Sequence, residues 1–391
     1  MTDLADLASV GRDTRRGGYS RHGFDSVELE LRTWFEEEAG RRGLDVERDR
    51  NGNLWAWWGA PGPDAVITGS HLDSVPGGGA FDGPLGVVSA LQAVDLLQAK
   101  GFRPAKPFAI VVFVEEEGGR FGVACLGSRL LSGAITPEAA CRLTDADGVS
   151  FGEAARAAGY DPALMGRDPV ALQRIGRFVE LHVEQGRGLE VPVGVASSIL
   201  AHGRWRFSFR GEGNHAGATL IEDRRDPMIP AAQLVVAARR AATAGARATV
   251  GRLVPNPGGT NVIASSVDVW LDARAGDDAR TREVVAEITG AARSAAADEG
   301  CAVEVTEESY GDTVHFDPAL RDELAGVLGG VPALPTGAGH DAGILAAHVP
   351  TAMLFVRNPT GVSHAPEEYS SPEDCAAGVV ALASTLEHLA R

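Results

Sequence analysis

The chain has 391 residues, 44% of them hydrophobic and 23% charged, the profile of a globular protein long enough for two domains and a large core. Acidic residues outnumber basic ones 53 to 36, a formal charge of -17. That speaks against nucleic acid or an anionic membrane as the main partner, since both need a basic face, but leaves room for a small anionic substrate held by one arginine.

DSVELELRTWFEEEAGRRG (25–43) reads as a helix, with Asp25 and Glu28 resembling a capping box and Gly43 as its stop. NLWAWWG and DAVITGS (64–70) read as strands, the second delivering His71 at its carboxyl end. LGVVSALQAVDLLQA is a buried helix, and FAIVVFV (108–114) a fully buried strand that leads into EEEGGRF. That run, the longest strongly apolar one, is too short to span a bilayer. RFVELHV (177–183) and PTAMLFV (350–356) are further strands. Strands alternating with helices predict an α/β fold.

The stretch from 202 to 311 differs. RWRFSFR (204–210) alternates strictly, a helix is expected near 228–243, strands near 248–254 and 261–273, then a helix closed by Gly300 and the strand CAVEVTE. The order β-α-β-β-α-β is the ferredoxin-like split unit, whose edge strands are available to a second subunit. The expectation is therefore a mixed-sheet catalytic domain over 1–201 and 312–391, with an inserted α+β dimerisation domain over 202–311. The cysteines Cys125, Cys141, Cys301 and Cys375 form no CxxC, so a cysteine zinc site or disulfide framework is not expected. With no signal-peptide pattern at the N-terminus, the cytoplasm is the expected compartment.

In an open α/β sheet, ligands gather outside the carboxyl ends of the strands. His71, Glu116, Glu117 and His182 lie at or near such ends; His364 follows the last strand by a short loop, and Asp82 sits in the glycine-rich loop after His71. Two or more histidines with carboxylates suit Zn²⁺ or Mn²⁺, and a bridging carboxylate could hold two ions about 3.5–4 Å apart. Of the adjacent Glu116 and Glu117, one can ligate while the other handles protons. Asp73 is the expected outer partner of the His71 imidazole. GVSFG (148–152) matches the GxSxG pattern of serine hydrolases but follows no hydrophobic strand, and GAGHDA (337–342) matches a dinucleotide fingerprint without a βαβ unit. The alternatives to a metal enzyme are a serine hydrolase using Ser150 and a non-catalytic small-molecule binding protein.

The segments GSHLDSV, GGGAFDGPLG, EEEGGRFG, ELHVEQG, NHAGAT, DAR, GAGHDA and SHAPEE occur in this order. Together they resemble the binuclear-metal amidohydrolases that include allantoate amidohydrolase, N-carbamoyl-L-amino-acid hydrolase and β-ureidopropionase. The resemblance implies two divalent ions per chain, with His71, Asp82, Glu117, His182 and His364 as ligands, Asp82 bridging, and Glu116 as general base. It implies substrate contacts from Gln185, Asn261, Gly339, His340 and Arg274, the arginine taking a carboxylate. It also implies a homodimer through the inserted domain, in which His215 reaches the neighbouring subunit's site. The substrate expected is a small ureido carboxylate, with allantoate favoured over an N-carbamoyl-L-amino acid.

Overall fold

The computed structural model describes residues 3–243 and 245–391. The chain divides into two compact units, one running to Ser198 and again from His315, the other Ile199–Val314.

The first unit is built on a nine-stranded mixed sheet. Its order is Asp45–Arg48, Leu54–Trp58, Phe108–Phe113, Ala65–His71, Ile175–Val183, Thr351–Val356, Val193–Ile199 and Val314–His315, with Ala333–Thr336 pairing to the Val193 strand. Phe108–Phe113, Ala65–His71, Ile175–Val183 and Thr351–Val356 run parallel to one another; the Leu54 and Val193 strands flank them antiparallel. All six residues of Phe108–Phe113 are buried, because both faces of the sheet are covered. Phe108, Ile110 and Val112 pack into a core with Val87, Leu91 and Val94 of the helix Pro84–Ala99 and Leu382 and Leu386 of the helix Pro372–Leu389. Phe113, on the opposite face, packs edge-on against Trp55 and Phe178. Each such side chain stabilises the fold by about 1.5–3 kcal/mol through removal from water.

The helix Ser26–Arg41 starts where expected, with Asp25 Oδ1 accepting the Glu28 N–H at 2.7 Å. Only half of the capping box forms. The Glu28 carboxylate is buried, accepts the Phe24 N–H and pairs with Arg32 at 3.1 Å instead.

The second unit is a four-stranded antiparallel sheet in the order Ala302–Gly311, Ala201–Arg210, Ser266–Ala275, Arg247–Asn256. The helices Met228–Ala241 and Asp278–Asp298 complete the β-α-β-β-α-β chain order. Trp205, Phe207, Phe209, Val267, Val269 and Leu271 share one face with Leu234, Val284 and Ile288 from the helices. The single strand expected over 261–273 is instead two pieces. Val262–Ile263 pairs with Asn214–His215 in a separate ribbon, and Ser266–Ala275 enters the main sheet. The break falls at Ser265, whose N–H goes to the Asn256 carbonyl while its own carbonyl accepts from Gly211.

Candidate metal centre and active site

His71 is the last residue of its strand, and the strand stops there. The chain then folds back through Gly77 and Gly78 to Asp82, which is buried just before the helix Pro84–Ala99. Gly83 makes this return possible. It has φ +83° and ψ -62°, and a Cβ there would lie 2.5 Å from His71 Nδ1 and 2.7 Å from Nε2. The backbone therefore passes closer to the imidazole than any side chain allows. Glu368 fastens the same loop, its Oε1 accepting the N–H groups of Phe81 and Asp82 at 3.0 and 2.9 Å.

The two oxygens of Asp82 face two different donor sets. Oδ1 lies 3.7 Å from His71 Nε2 and 3.2 Å from His182 Nε2. Oδ2 lies 3.4 Å from His364 Nε2, which is in turn 3.3 Å from Glu117 Oε2. The inner set, His71, Asp82 and His182, is wholly buried, whereas the outer set, Asp82, Glu117 and His364, opens to solvent through His364. His364 has φ +56°, an uncommon conformation for a residue with a Cβ.

The histidine tautomers suit cation binding. His71 Nδ1 is 3.0 Å from the Asp73 carbonyl and His182 Nδ1 is 2.9 Å from the Val183 carbonyl. These contacts place a proton on each Nδ1, so Nε2 is the nitrogen that offers a lone pair when the ring gives up its second proton. Neither Nε2 has a hydrogen-bond partner, although both are buried. Buried polar atoms without partners are costly, and a divalent ion would satisfy both.

The electrostatics agree. Burial raises the pKa of Glu117, and the neighbouring charge of Asp82 adds to it, holding it well above the ordinary carboxylate range. Burial pulls the His71 pKa down, but the charges of Glu116, Asp73 and Asp82 outweigh it and lift it well above its usual value. Burial and crowding of the carboxylates thus favour positive charge at this cluster, and the donor set is one that Zn²⁺ or Mn²⁺ would fit.

Glu116 lies with its Oε2 3.6 Å from His71 Nε2. Asp73 meets the imidazole mainly through its carbonyl, with its Oδ1 at 3.5 Å. Its carboxylate accepts the N–H groups of Glu116 and Glu117 at 3.1 and 3.0 Å and so ties the two ligand loops together. Asp73 is thus the outer partner expected for the imidazole, reached from the loop beyond the strand, which ends at His71. The N-terminal segment braces both loops: Arg21 and Ser74 exchange backbone and hydroxyl bonds, and Gly23 N–H donates to Glu115.

Gln185 Nε2 donates to Asp82 Oδ2 at 2.9 Å and to Ser363 Oγ at 3.0 Å, leaving its Oε1 buried and unpartnered. Gly339 is exposed and His340 is buried, its ring 4.5 Å from that of His182 and both its nitrogens without partners. Burial and the His182 charge hold the His340 pKa well below its usual value. His215 and Asn261 come together in the second unit, where Ala216 N–H donates to the Asn261 carbonyl, and both are exposed. Arg274 is bidentate on Asp272 at 2.8 and 3.1 Å, so its fork already grips a carboxylate of its own chain. Ser150 caps the helix Phe151–Ala157 in a reciprocal capping box with Glu153, which accounts for GVSFG without a nucleophile.

Sequence reasoning passed over Glu180, which joins His182 and His340 in a third buried donor group. Glu180 and His182 stand two apart on one strand and share a face, a signal present in RFVELHV. Asp341, bonded to Ser128, and Glu368 were likewise legible only as parts of motifs.

A carboxylate shared between two histidine-containing donor sets at the carboxyl edge of an α/β sheet defines a class, the hydrolases that work with divalent ions. The comparisons with known proteins agree. Residues 67–388 match peptidase family M20/M25/M40, and the chain belongs to that family as a metal-dependent amidohydrolase. An N-carbamoyl-L-amino acid amidohydrolase of Geobacillus stearothermophilus is 38% identical, covering 99% of this chain and 97% of the relative. A ureidoglycolate hydrolase of Arabidopsis thaliana is 35% identical, covering 100% and 86%. The crystal structure of a hydantoinase/carbamoylase family amidase from Burkholderia multivorans superposes with TM-score 0.86 at 31% identity, covering 99% of this chain and 96% of that one.

Proposed function

We propose that the protein hydrolyses the ureido C–N bond of a small 2-ureido carboxylate. The observation that supports this most is Asp82, whose two oxygens face one donor set each. In this reading His71, His182 and Asp82 hold one ion, and Glu117, His364 and Asp82 hold the other. Ions bound there would supply the positive charge that lowers the pKa of an attacking water and polarises the ureido carbonyl.

Glu116 takes the proton of that water at Oε2 and hands it to the departing nitrogen, which leaves only when protonated. Burial, reinforced by the charges of Asp341 and Glu117 and opposed by His71, raises the pKa of Glu116, as suits a group that must hold a proton and then release it. Gln185 Oε1 accepts from a ureido N–H. Arg274 takes the substrate carboxylate in place of Asp272, and His215, Asn261, Gly339 and His340 complete the substrate contacts.

N-carbamoyl amino acids, ureidoglycolate and allantoate share one skeleton, a carboxylate and a ureido group on the same carbon. They differ in the third substituent: a side chain, a hydroxyl or a second ureido group. We favour allantoate, because Gln185, Asn261 and His340 offer polar partners to a second ureido group. The 38% identical relative favours the second reading, an N-carbamoyl-L-amino acid. Ammonia release from allantoate, ureidoglycolate and N-carbamoyl-L-methionine, each with Zn²⁺ or Mn²⁺, separates them; no release from any would refute the class. Mutating Glu116 to Gln is expected to abolish turnover while sparing metal content.

The homodimer through Ile199–Val314 belongs to the same proposal and is supported by the exposure of His215. Mixing His215→Ala with Glu116→Gln chains tests it, since a shared site restores activity in the mixture. No described helix is long and apolar enough to cross a membrane. The four free cysteines are what support a reducing cytoplasm as the compartment.

A further inference from the structure

We propose that Cys125 is a positioning residue for Glu116, its thiol holding the carboxylate so that one oxygen is aimed at the inner donor set. The inference rests on the reading of Glu116 as proton carrier.

Cys125 grips residue 116 twice. Its backbone N–H donates to the Glu116 carbonyl at 2.6 Å, and its Sγ donates to Glu116 Oε1 at 3.3 Å. The other carboxylate oxygen, Oε2, is the one 3.6 Å from His71 Nε2. Among the described residues no other hydrogen bond reaches this carboxylate, so the thiol alone selects which oxygen faces the donors. In a buried, low-dielectric setting a lone hydrogen bond to a carboxylate is strengthened, which gives this donor leverage over the carboxylate's orientation.

The backbone is consistent with a side chain kept for its chemistry. Cys125 has φ +56° and stands immediately before the helix Leu126–Ser132. A residue with a Cβ is strained there, and glycine would relieve that strain. A glycine would also remove the thiol. The side chain is 3% exposed, so Sγ is shielded from water that would compete for Oε1. An alanine fills part of the space but donates nothing; a serine donates from a similar position.

The test compares wild type, Cys125→Ala, Cys125→Ser and Glu116→Gln as full-length, metal-loaded protein, with allantoate and N-carbamoyl-L-methionine as probes. Cys125→Ala is expected to lower kcat about 10–100-fold, the effect of a reacting group displaced by roughly 1 Å. KM and ions per chain stay unchanged, and Cys125→Ser recovers most of the loss. Wild-type kcat in Cys125→Ala, or a Cys125→Ser variant as slow as the alanine, overturns the inference. If Glu116→Gln itself keeps turning over, the proton-carrier reading falls instead. An activity-free readout stands beside these. The infrared S–H stretch lost in Cys125→Ala should lie at lower frequency than those of Cys141, Cys301 and Cys375, and should move up in Glu116→Ala. An undisplaced band overturns the hydrogen bond.

Discussion

Replacing Gly83 by alanine should damage the inner donor set far more than it damages the fold. Two effects add at this position. The backbone sits at φ +83°, where a residue with a Cβ is strained by about 1–3 kcal/mol. The new methyl would also lie 2.5 Å from His71 Nδ1 and nearer still to Cε1, while ordinary contact begins at 3.4 Å, so the ring must retreat by about 1 Å. His71 cannot swing away freely, because it is fully buried and its Nδ1 is tied to the Asp73 carbonyl. A shift of that size in an imidazole ligand should weaken metal binding by about 10–100-fold, the scale seen when a ligand loses its orientation. The assay is competition against a chromophoric chelator, with kcat measured in parallel. Gly101→Ala is the control: its φ is +71° but its Cβ would meet nothing within 4 Å, so it carries the strain without the collision. Wild-type metal affinity in Gly83→Ala, or an equal loss in Gly101→Ala, would refute the close-approach reasoning.

Asp82→Ala should empty both donor sets, whereas His364→Ala should leave about one ion per chain; elemental analysis distinguishes these, and equal stoichiometry would contradict the shared carboxylate. Glu368 is pushed up to about 7, first by burial and then by the charge of Asp82. An acid whose folded pKa is raised stabilises the fold below its unfolded pKa and loses that stabilisation as pH rises through the folded one. In chelator-treated protein the fold should therefore lose roughly 3 kcal/mol through this group between about pH 4.5 and 7, and the wild-type minus Glu368→Gln difference in denaturant melts should reproduce that slope. Ser150→Ala should leave kcat unchanged and cost about 1 kcal/mol of stability as a lost helix cap; lost turnover with the fold intact would revive the serine hydrolase. Gln185→Ala should raise KM, since the amide would no longer meet a ureido N–H, and an unchanged KM for every ureido acid tested would remove it from the substrate contacts.

Much of this was legible in the chain because strong periodicities coincide with chemistry. FAIVVFV and PTAMLFV are short, strongly apolar runs of strand length, and residues just beyond such strands are delivered to a sheet edge. His71, Glu117 and His182 stand at or near the ends of DAVITGS, FAIVVFV and RFVELHV, so one sheet edge is where they are expected to meet. What stayed hidden was set by side-chain direction and by loops. Which oxygen of Asp82 faces which histidine depends on the turn at Gly83. The pairing of Arg274 with Asp272 comes from two residues on one strand face, and a bidentate grip on a substrate looked equally natural. Asp73 meets the His71 imidazole as expected, but its carboxylate's second task, holding the Glu116 and Glu117 N–H groups, depends on a loop path that no periodicity records. Glu368 and Cys125 act through a loop-to-loop hydrogen bond and a positive φ, neither of which leaves a periodic trace.

The sheet also orders events during synthesis. Thr351–Val356 pairs in parallel with Phe178–Val183, yet in chain order it follows all of Ile199–Val314. The Thr351–Val356 flank of the Ile175–Val183 strand is therefore the last side of it to be satisfied, and an unpaired edge of this kind is a template for other chains. His364, which closes the outer donor set with Asp82 and Glu117, is made later still, so that set is the last part of the edge to be completed.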